Sequence, residues 1–191
     1  MRTQTIQKEL KPLREKTEQV YLGIGIHTLG LLAWILEQTG PADVIVTTYS
    51  TSEEFLAGFL NLRKKGLIDH ATMVADLKAS KKTVKLNALM GQCFDNVFLG
   101  SNHSKIVLVN AKNAVVSVVS SQNNTYGGRA ECTIITTDRS IFNDLYRQFG
   151  ILVYNSVSLY GVHQTTTGED TGTCGSSYSC FGDFRPFGAA E

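Results

Sequence analysis

The chain has 191 residues, which is enough for one domain with its own hydrophobic core. Apolar residues make up 42% of it and charged residues 18%, as is ordinary for a folded protein. The formal net charge of +1 argues against a protein that holds DNA by its overall charge, because such proteins are usually much more basic. Any contact with nucleic acid therefore has to come from a local patch.

The sequence divides into three predicted regions. Residues 1–19 are polar and charged, and Pro12 interrupts any helix there, so we expect a short helix or an arm of low order. Residues 20–157 carry the apolar patterning of a folded domain. Residues 158–191 are rich in Gly, Ser and Thr, and we expect a tail that is loose or ordered only against another surface.

The first half of the domain alternates predicted strands and helices. Residues 20–36 are almost wholly apolar, but they contain His27 and three glycines and fall short of the ~20 residues of a membrane span. A buried strand followed by a buried helix explains them better. Residues 43–49 are a β-branched run suited to a central strand, and residues 51–54 resemble a helix start. A second buried strand and a further helix are predicted at residues 71–76 and 80–93.

The second half contains four predicted strands in close succession and a last helix that begins at Asp138. The strands are predicted at residues 96–99, 105–111, 114–121 and 132–136. Alternating strands and helices predict an α/β fold with a mixed, largely parallel β-sheet and helices on both faces. The connections between the later strands are too short for crossovers, so some pairs have to be antiparallel.

The central strands carry the residues with the most chemistry. On an extended chain His103 and Lys105 point to the same face, where an imidazole can attack or protonate a phosphate and an ammonium can neutralise its charge. Asn123 and Ser121 can each donate a hydrogen bond to a phosphate oxygen. Glu131 would suit the far side of the imidazole, since a carboxylate there fixes the tautomer of the ring.

The run from His103 to Asn110 resembles the motif of the phospholipase D superfamily, which reads His, any residue, Lys, four residues and Asp. A Gly-Ser-any-Asn segment and a downstream Glu complete that motif. The preceding strand and helix units also look like the first half of such a domain, so the resemblance covers residues 20–150. It implies a phospholipase D-like half-domain and a metal-independent phosphodiesterase that needs no cofactor.

The resemblance also assigns roles to residues, with two departures. Asn110 stands where the family has Asp, and Ser120 stands where Gly is usual. The implied catalytic residues are His103, Lys105, Asn123 and Glu131, and the implied substrate-binding residues are Ser121 and Asn110.

The sequence contains one copy of the motif, whereas enzymes of this family use two. None of the other histidines has a lysine two residues further on. We therefore expect a homodimer in which a two-fold axis brings both copies of His103 to one pocket. The resemblance then implies a phosphohistidine intermediate and a phosphodiester substrate, with a nuclease acting on DNA as the leading candidate. We expect no stable membrane association, because no amphipathic membrane-binding helix stands out.

Two other interpretations stay open. The chain could be a catalytically impaired module of the same fold that binds phosphate or nucleic acid, or a structural dimer whose tail recruits partners. The cysteines match no common zinc spacing, so no metal site is predicted. Cys93 and Cys132 are interpreted as small core residues, and Cys174 and Cys180 as reduced thiols. Since no secretory signal is found, a cytoplasmic location is expected.

Overall fold

The computed structural model describes residues 3–79, 85–125 and 127–160, and these form one α/β unit built on a single sheet. The strands are β1 (Glu18–Gly23), β2 (Ala42–Thr48), β3 (Ile68–Asp76), β4 (Asn96–Gly100), β5 (Ile106–Ala111), β6 (Ala114–Ser120), β7 (Glu131–Thr136) and β8 (Val157–Tyr160). The helices are α1 (Thr3–Glu9), α2 (Thr28–Thr39), α3 (Glu53–Lys64), α4 (Asn87–Cys93) and α5 (Arg139–Tyr154), with a 3₁₀ helix at Leu77–Ala79.

The sheet is mixed, as predicted, and its strand order is β1-β7-β6-β5-β2-β3-β4-β8. Parallel pairing is confined to β2 with β3 and β3 with β4, which are the described strand pairs that are both joined by a helical crossover and adjacent in the sheet. Every other neighbouring pair is antiparallel. The α/β class is thus confirmed, but the sheet is less parallel than the sequence suggested.

Helices cover both faces of the sheet, also as predicted. Along β5, Val107 and Val109 point to the core beneath α2, α3 and α4, whereas Leu108 points to the core beneath α5. This alternation follows from the period of two along a strand. The β-branched strand β2 lies between β3 and β5 and is buried over most of its length, which suits a central strand.

Two helix starts follow directly from the sequence. The Ser52 hydroxyl accepts a hydrogen bond from the Phe55 amide at 3.3 Å and begins α3. The Asp138 carboxylate accepts from the amides of Ser140 and Ile141 at 2.7 and 2.9 Å and begins α5. Both side chains satisfy amides that the first helical turn leaves without partners. The Ser140 hydroxyl also donates to this carboxylate and is the main reason that the pKa of Asp138 is lowered, and the amide hydrogen bonds lower it further.

The first residues form more structure than a loose arm. Ile6 in α1, together with Leu10 and Leu13 after it, is buried in the core beside α2. The Gln19 amide then closes the following loop by bonding the backbone of Lys11 and Lys16. At the other end, β8 carries the sheet to residue 160, past the expected start of the tail. The rest of the tail and residues 80–84, the expected start of the helix over residues 80–93, lie outside the described residues.

One part of the sheet is covered on a single side by the described helices. Helix α5 packs over the centre of its face and leaves an uncovered apolar face on β1, β7 and β6, formed by Val20, Leu22, Val119 and Ile134. Leu22 is 76% exposed and Val20 68%. The prediction of a buried first strand is therefore wrong, because β1 is an outer strand of the sheet and none of the described helices lies over this side. In the described part of the chain no helix is long and apolar enough to cross a membrane.

Candidate active site

The motif residues meet at the edge of the sheet that is formed by the ends of its strands, as distinct from its outer strands β1 and β8. Strands β2, β3 and β4 end at this edge, and the loop of residues 101–105 leads from it into β5. Strand β6 returns to the same edge, where residues 121–125 follow it, and β7 leaves again at Glu131. The antiparallel turns therefore bring together segments that are almost 30 residues apart in the chain.

His103 and Lys105 form a close pair at this edge. Lys105 Nζ lies 3.2 Å from His103 Nδ1 and donates to the His103 carbonyl oxygen at 2.6 Å. The imidazole is exposed, and its ring centre is 5.2 Å from that of Tyr49. Burial lowers the pKa of Lys105, while the negative charges of Glu131 and Asp76 act in the opposite direction. An exposed imidazole with an ammonium at its side is suited to contact an anion.

Glu131 does not take the position that the sequence suggested. Its carboxylate accepts a short hydrogen bond from the Ser121 hydroxyl, and that hydroxyl in turn accepts from the Cys132 amide at 3.1 Å. In the described part of the chain no hydrogen bond joins Glu131 to His103, and Lys105 lies against Nδ1 instead. Glu131 acts on the pair through its charge, which raises the pKa of Lys105. Cys132 is exposed, so its interpretation as a core residue is wrong.

Asn123 lies on the loop that follows β6 and is half-buried. Its side-chain oxygen is shielded from solvent, and no group of the described residues forms a hydrogen bond with it. Asn123 borders a mostly apolar cavity of about 770 Å³ between α2 and α3, whereas His103 borders a smaller one of about 310 Å³ beside α5. Within one chain the two side chains thus face different spaces.

Asn110 is separated from the other motif residues. It pairs with Asp43 on β2 and Val115 on β6, towards the far end of β5. Asn110 is five positions beyond Lys105 on an extended strand, which places it about 16 Å away. Its role in substrate binding stays a prediction, and the site described below does not use it.

Comparison with known proteins identifies the fold. No family model matches the sequence, and no curated protein sequence matches it. Among solved structures, the phospholipase D family member Nuc from Salmonella typhimurium aligns with a TM-score of 0.58 and 14% identity, over 74% of this chain and 97% of Nuc. NucT from Helicobacter pylori aligns with a TM-score of 0.54 and 13% identity, over 73% of this chain and 98% of NucT. The chain has the phospholipase D fold.

The same fold occurs as part of a larger enzyme. Polyphosphate kinase from Porphyromonas gingivalis aligns with a TM-score of 0.59 and 15% identity, over 80% of this chain but only 29% of the kinase. Because a shared fold does not fix a substrate, the chemistry of this phospholipase D fold has to be argued from its own residues.

Several residues at the site gave no signal in the sequence. Gln122 is buried, and its amide oxygen accepts from the Thr28 amide at 2.9 Å, while its nitrogen lies 3.1 Å from His27 Nδ1. The His27 ring thus lies just before α2 and contacts the loop that follows β6. Gln122 joins the loop of Asn123 to the start of α2. No local pattern could reveal a contact between residues 95 positions apart.

The basic residues of α3 lie away from the site. Arg63 is near the end of α3, at the opposite edge of the sheet from His103, and bonds Asp95 at 2.5 Å. Lys78 follows β3 at the edge that carries His103, and its side chain is exposed. Among residues 3–79, 85–125 and 127–160, no three His, Cys, Asp or Glu side chains lie together in a way that could hold a metal ion.

Proposed function

We propose that the chain is a phosphodiesterase that works through His103 in a site shared by two copies. The observation that carries this proposal is the exposed His103 imidazole, with the Lys105 ammonium 3.2 Å from its Nδ1, at one edge of a phospholipase D fold. An imidazole can form and break a bond to phosphorus near neutral pH, and an ammonium offsets the charge that builds up on the phosphate oxygens.

In the proposed reaction one His103 attacks phosphorus, and the bond from phosphorus to the leaving oxygen breaks. The second His103 gives that oxygen its proton. The resulting phosphohistidine is then hydrolysed by water, whose proton returns to the second imidazole, and the first imidazole leaves the phosphorus. Lys105 from each copy contacts the phosphate oxygens, and no metal ion takes part in these steps.

The remaining motif residues support this chemistry. The side-chain nitrogen of Asn123 can donate to a phosphate oxygen, which supports a role in binding the substrate. Glu131, held by Ser121, keeps negative charge near Lys105 and so favours the charged ammonium. We therefore assign positioning and electrostatic roles to Ser121 and Glu131.

A second copy is needed because the sequence has a single His-any-Lys motif. The uncovered apolar face lies next to the site, since Val119 pairs with Ile106, the residue after Lys105. Large exposed apolar patches mark interaction surfaces, and a two-fold axis would cover this face on both copies at once. We propose that this face forms the homodimer interface.

The proposed substrate is a phosphodiester, with DNA as the leading candidate. The overall charge of +1 gives no general attraction for DNA, so the site itself has to supply it through Lys105 and the nearby Lys78. An alternative is a phosphate- or nucleic-acid-binding module without turnover. The observation that favours it is that Lys105 and not Glu131 lies against His103 Nδ1. The cytoplasmic location expected from the sequence stays a prediction.

The proposal is tested by hydrolysis of single- and double-stranded DNA and of a chromogenic diester, with EDTA present. We expect turnover by the wild type and none by His103→Ala. Turnover that survives His103→Ala, or that EDTA abolishes, would contradict the proposal. DNA binding without turnover would favour the binding module instead.

The shared site has a separate test, in which wild-type and His103→Ala subunits are mixed and allowed to exchange. If a site needs both imidazoles, an equal mixture should retain about a quarter of the wild-type activity, because only that fraction of dimers has two intact copies. Independent sites would retain about half. The second result would rule out a pocket that needs both copies of His103.

A further inference from the structure

The structure assigns a positioning role to Asn102 and Asp76, two buried residues that the motif does not include. We infer that their hydrogen bonds fix the backbone of the loop before β5, and so aim the His103 imidazole at the substrate. The functional consequence rests on the proposed function, since the aim of His103 matters only if this residue is catalytic.

Asn102 is tied to both neighbouring parallel strands. It is 4% exposed, and its side-chain nitrogen donates to the carbonyl oxygens of Thr48 and Val74, at 3.1 and 3.3 Å. These carbonyls lie at or near the ends of β2 and β3. The residue before His103 is thereby anchored to the most deeply buried strands of the sheet.

The other end of the Asn102 amide holds the residue after the histidine. Its oxygen accepts from the Ser104 amide at 3.0 Å and contacts the Ser104 hydroxyl at 2.5 Å. That hydroxyl also lies 2.7 Å from Thr47 Oγ1, which accepts from the Ile106 amide at 3.0 Å. The side chain of Asn102 thus bridges across His103, and both neighbours of the histidine are fixed.

Asp76 holds the backbone of the same loop. Its carboxylate is 6% exposed and accepts from the Asn102 amide at 3.0 Å and from the Lys78 amide at 2.7 Å. Burying a carboxylate is unfavourable unless hydrogen bonds stabilise it, so its presence here indicates that holding these two amides is its structural role. Asp76 lies at the end of β3, directly beside the loop that carries His103.

This network explains how an exposed histidine can be well oriented. His103 is exposed, and its ring contacts the neighbouring Tyr49 ring and Lys105, which lies on the same loop. Its direction is therefore set by the backbone, which Asn102 and Ser104 fix on either side. A displacement of about 1 Å in a reacting group can cost about 100-fold in rate, so loss of the network should reduce turnover without removing any reacting atom.

The test compares Asn102→Ala with Gln19→Ala. Gln19 is a matched control because it is also a buried amide that ties a loop to the sheet, but it lies far from the site in the chain. We expect Asn102→Ala to lower kcat about 100-fold with KM changed less than about threefold, and Gln19→Ala to leave both within about twofold. Equal kcat in the two variants would overturn the inference.

Two further variants keep the test informative if Asn102→Ala does not fold. Asn102→Asp preserves size and the acceptor for Ser104, but it places an oxygen against the two strand carbonyls and adds charge beside Asp76. Ser104→Ala removes only the hydroxyl bonds. We expect the larger loss of kcat in Asn102→Asp, whereas wild-type kcat in both variants would overturn the inference.

A spectroscopic readout separates this inference from the proposed function. The His103 ring resonance is assigned by comparison with His103→Ala and followed in wild type, Asn102→Ala and Gln19→Ala. We expect a single narrow signal that broadens or shifts only in Asn102→Ala, even if no diester is hydrolysed. An unchanged signal in Asn102→Ala would overturn the inference, whereas absent turnover by the wild type would contradict only the proposed function.

Discussion

Leu22 offers the sharpest test of the two-copy site, because it is the most exposed residue of the uncovered apolar face. It lies on β1 and is 76% exposed. Complete burial of a leucine side chain contributes about 1.5–3 kcal/mol, so covering three quarters of Leu22 contributes about 1–2 kcal/mol per copy and about 2–4 kcal/mol per dimer. Replacing it with glutamate forfeits that contribution and requires a charge to be covered as well.

Leu22→Glu should therefore raise the dimer dissociation constant about 30- to 700-fold or more, since 1.4 kcal/mol corresponds to a factor of ten. Sedimentation equilibrium over a range of protein concentrations measures this change directly. Val157→Glu is the matched control, because Val157 is 66% exposed on β8, the outer strand on the other side of the sheet from β1. We expect Val157→Glu to dimerise like the wild type.

Activity provides the second half of this test. If the site needs both copies, the specific activity of Leu22→Glu should fall as the protein is diluted and recover as it is concentrated. An unchanged dimer dissociation constant would refute the choice of interface. A monomeric Leu22→Glu with full activity at every concentration would refute the shared site itself.

The other predictions concern single groups. At alkaline pH, kcat/KM should fall with a midpoint below the ordinary lysine pKa of 10.5. Burial lowers the pKa of Lys105, and the active ammonium is lost as the pH rises through that value. Glu131→Gln should move this midpoint to still lower pH, and a midpoint that does not move would contradict the role of Glu131. Phe59→Ala should reduce the free energy of unfolding by about 3–5 kcal/mol in urea titrations, since the ring is fully buried. Peptide mapping after brief alkylation should find Cys132 modified and Cys93 protected, because burial raises the pKa of Cys93 to about 11.

Local sequence signals predicted much of the fold. Ser52 and Asp138 cap helices where the sequence placed the helix starts, and the β-branched run predicted as a central strand forms β2. These features depend on a few adjacent residues. The balance of parallel and antiparallel pairs does not, because the position of β5 beside β2 is decided by packing across the whole chain. The exposure of β1 was unpredictable for the same reason.

The candidate site also combines features that local spacing predicts with features that only the folded sheet decides. The spacing of two between His103 and Lys105 was enough to predict their contact, since every second residue of an extended segment points the same way. The same spacing places Asn110 towards the far end of the strand and on the opposite face from Lys105, so its assignment to the site depended on the motif alone. The partner of Glu131 depends on the register of β6 against β7, which pairs Ser120 with Thr133 and so brings Ser121 beside the carboxylate. Register is a property of the folded sheet.

The contact between Lys105 and His103 has a consequence for a site built from two identical halves. An ammonium that donates to Nδ1 leaves the proton of a neutral imidazole on Nε2, and such a ring cannot attack with Nε2. The attacking imidazole needs the other tautomer, and the imidazole that protonates the leaving oxygen needs a proton on both nitrogens, so Lys105 has to leave Nδ1 in each copy. A phosphate oxygen attracts an ammonium more strongly than a neutral nitrogen does. Substrate binding would therefore draw both copies of Lys105 onto the phosphate, which frees one ring to attack and the other to carry the proton for the leaving oxygen.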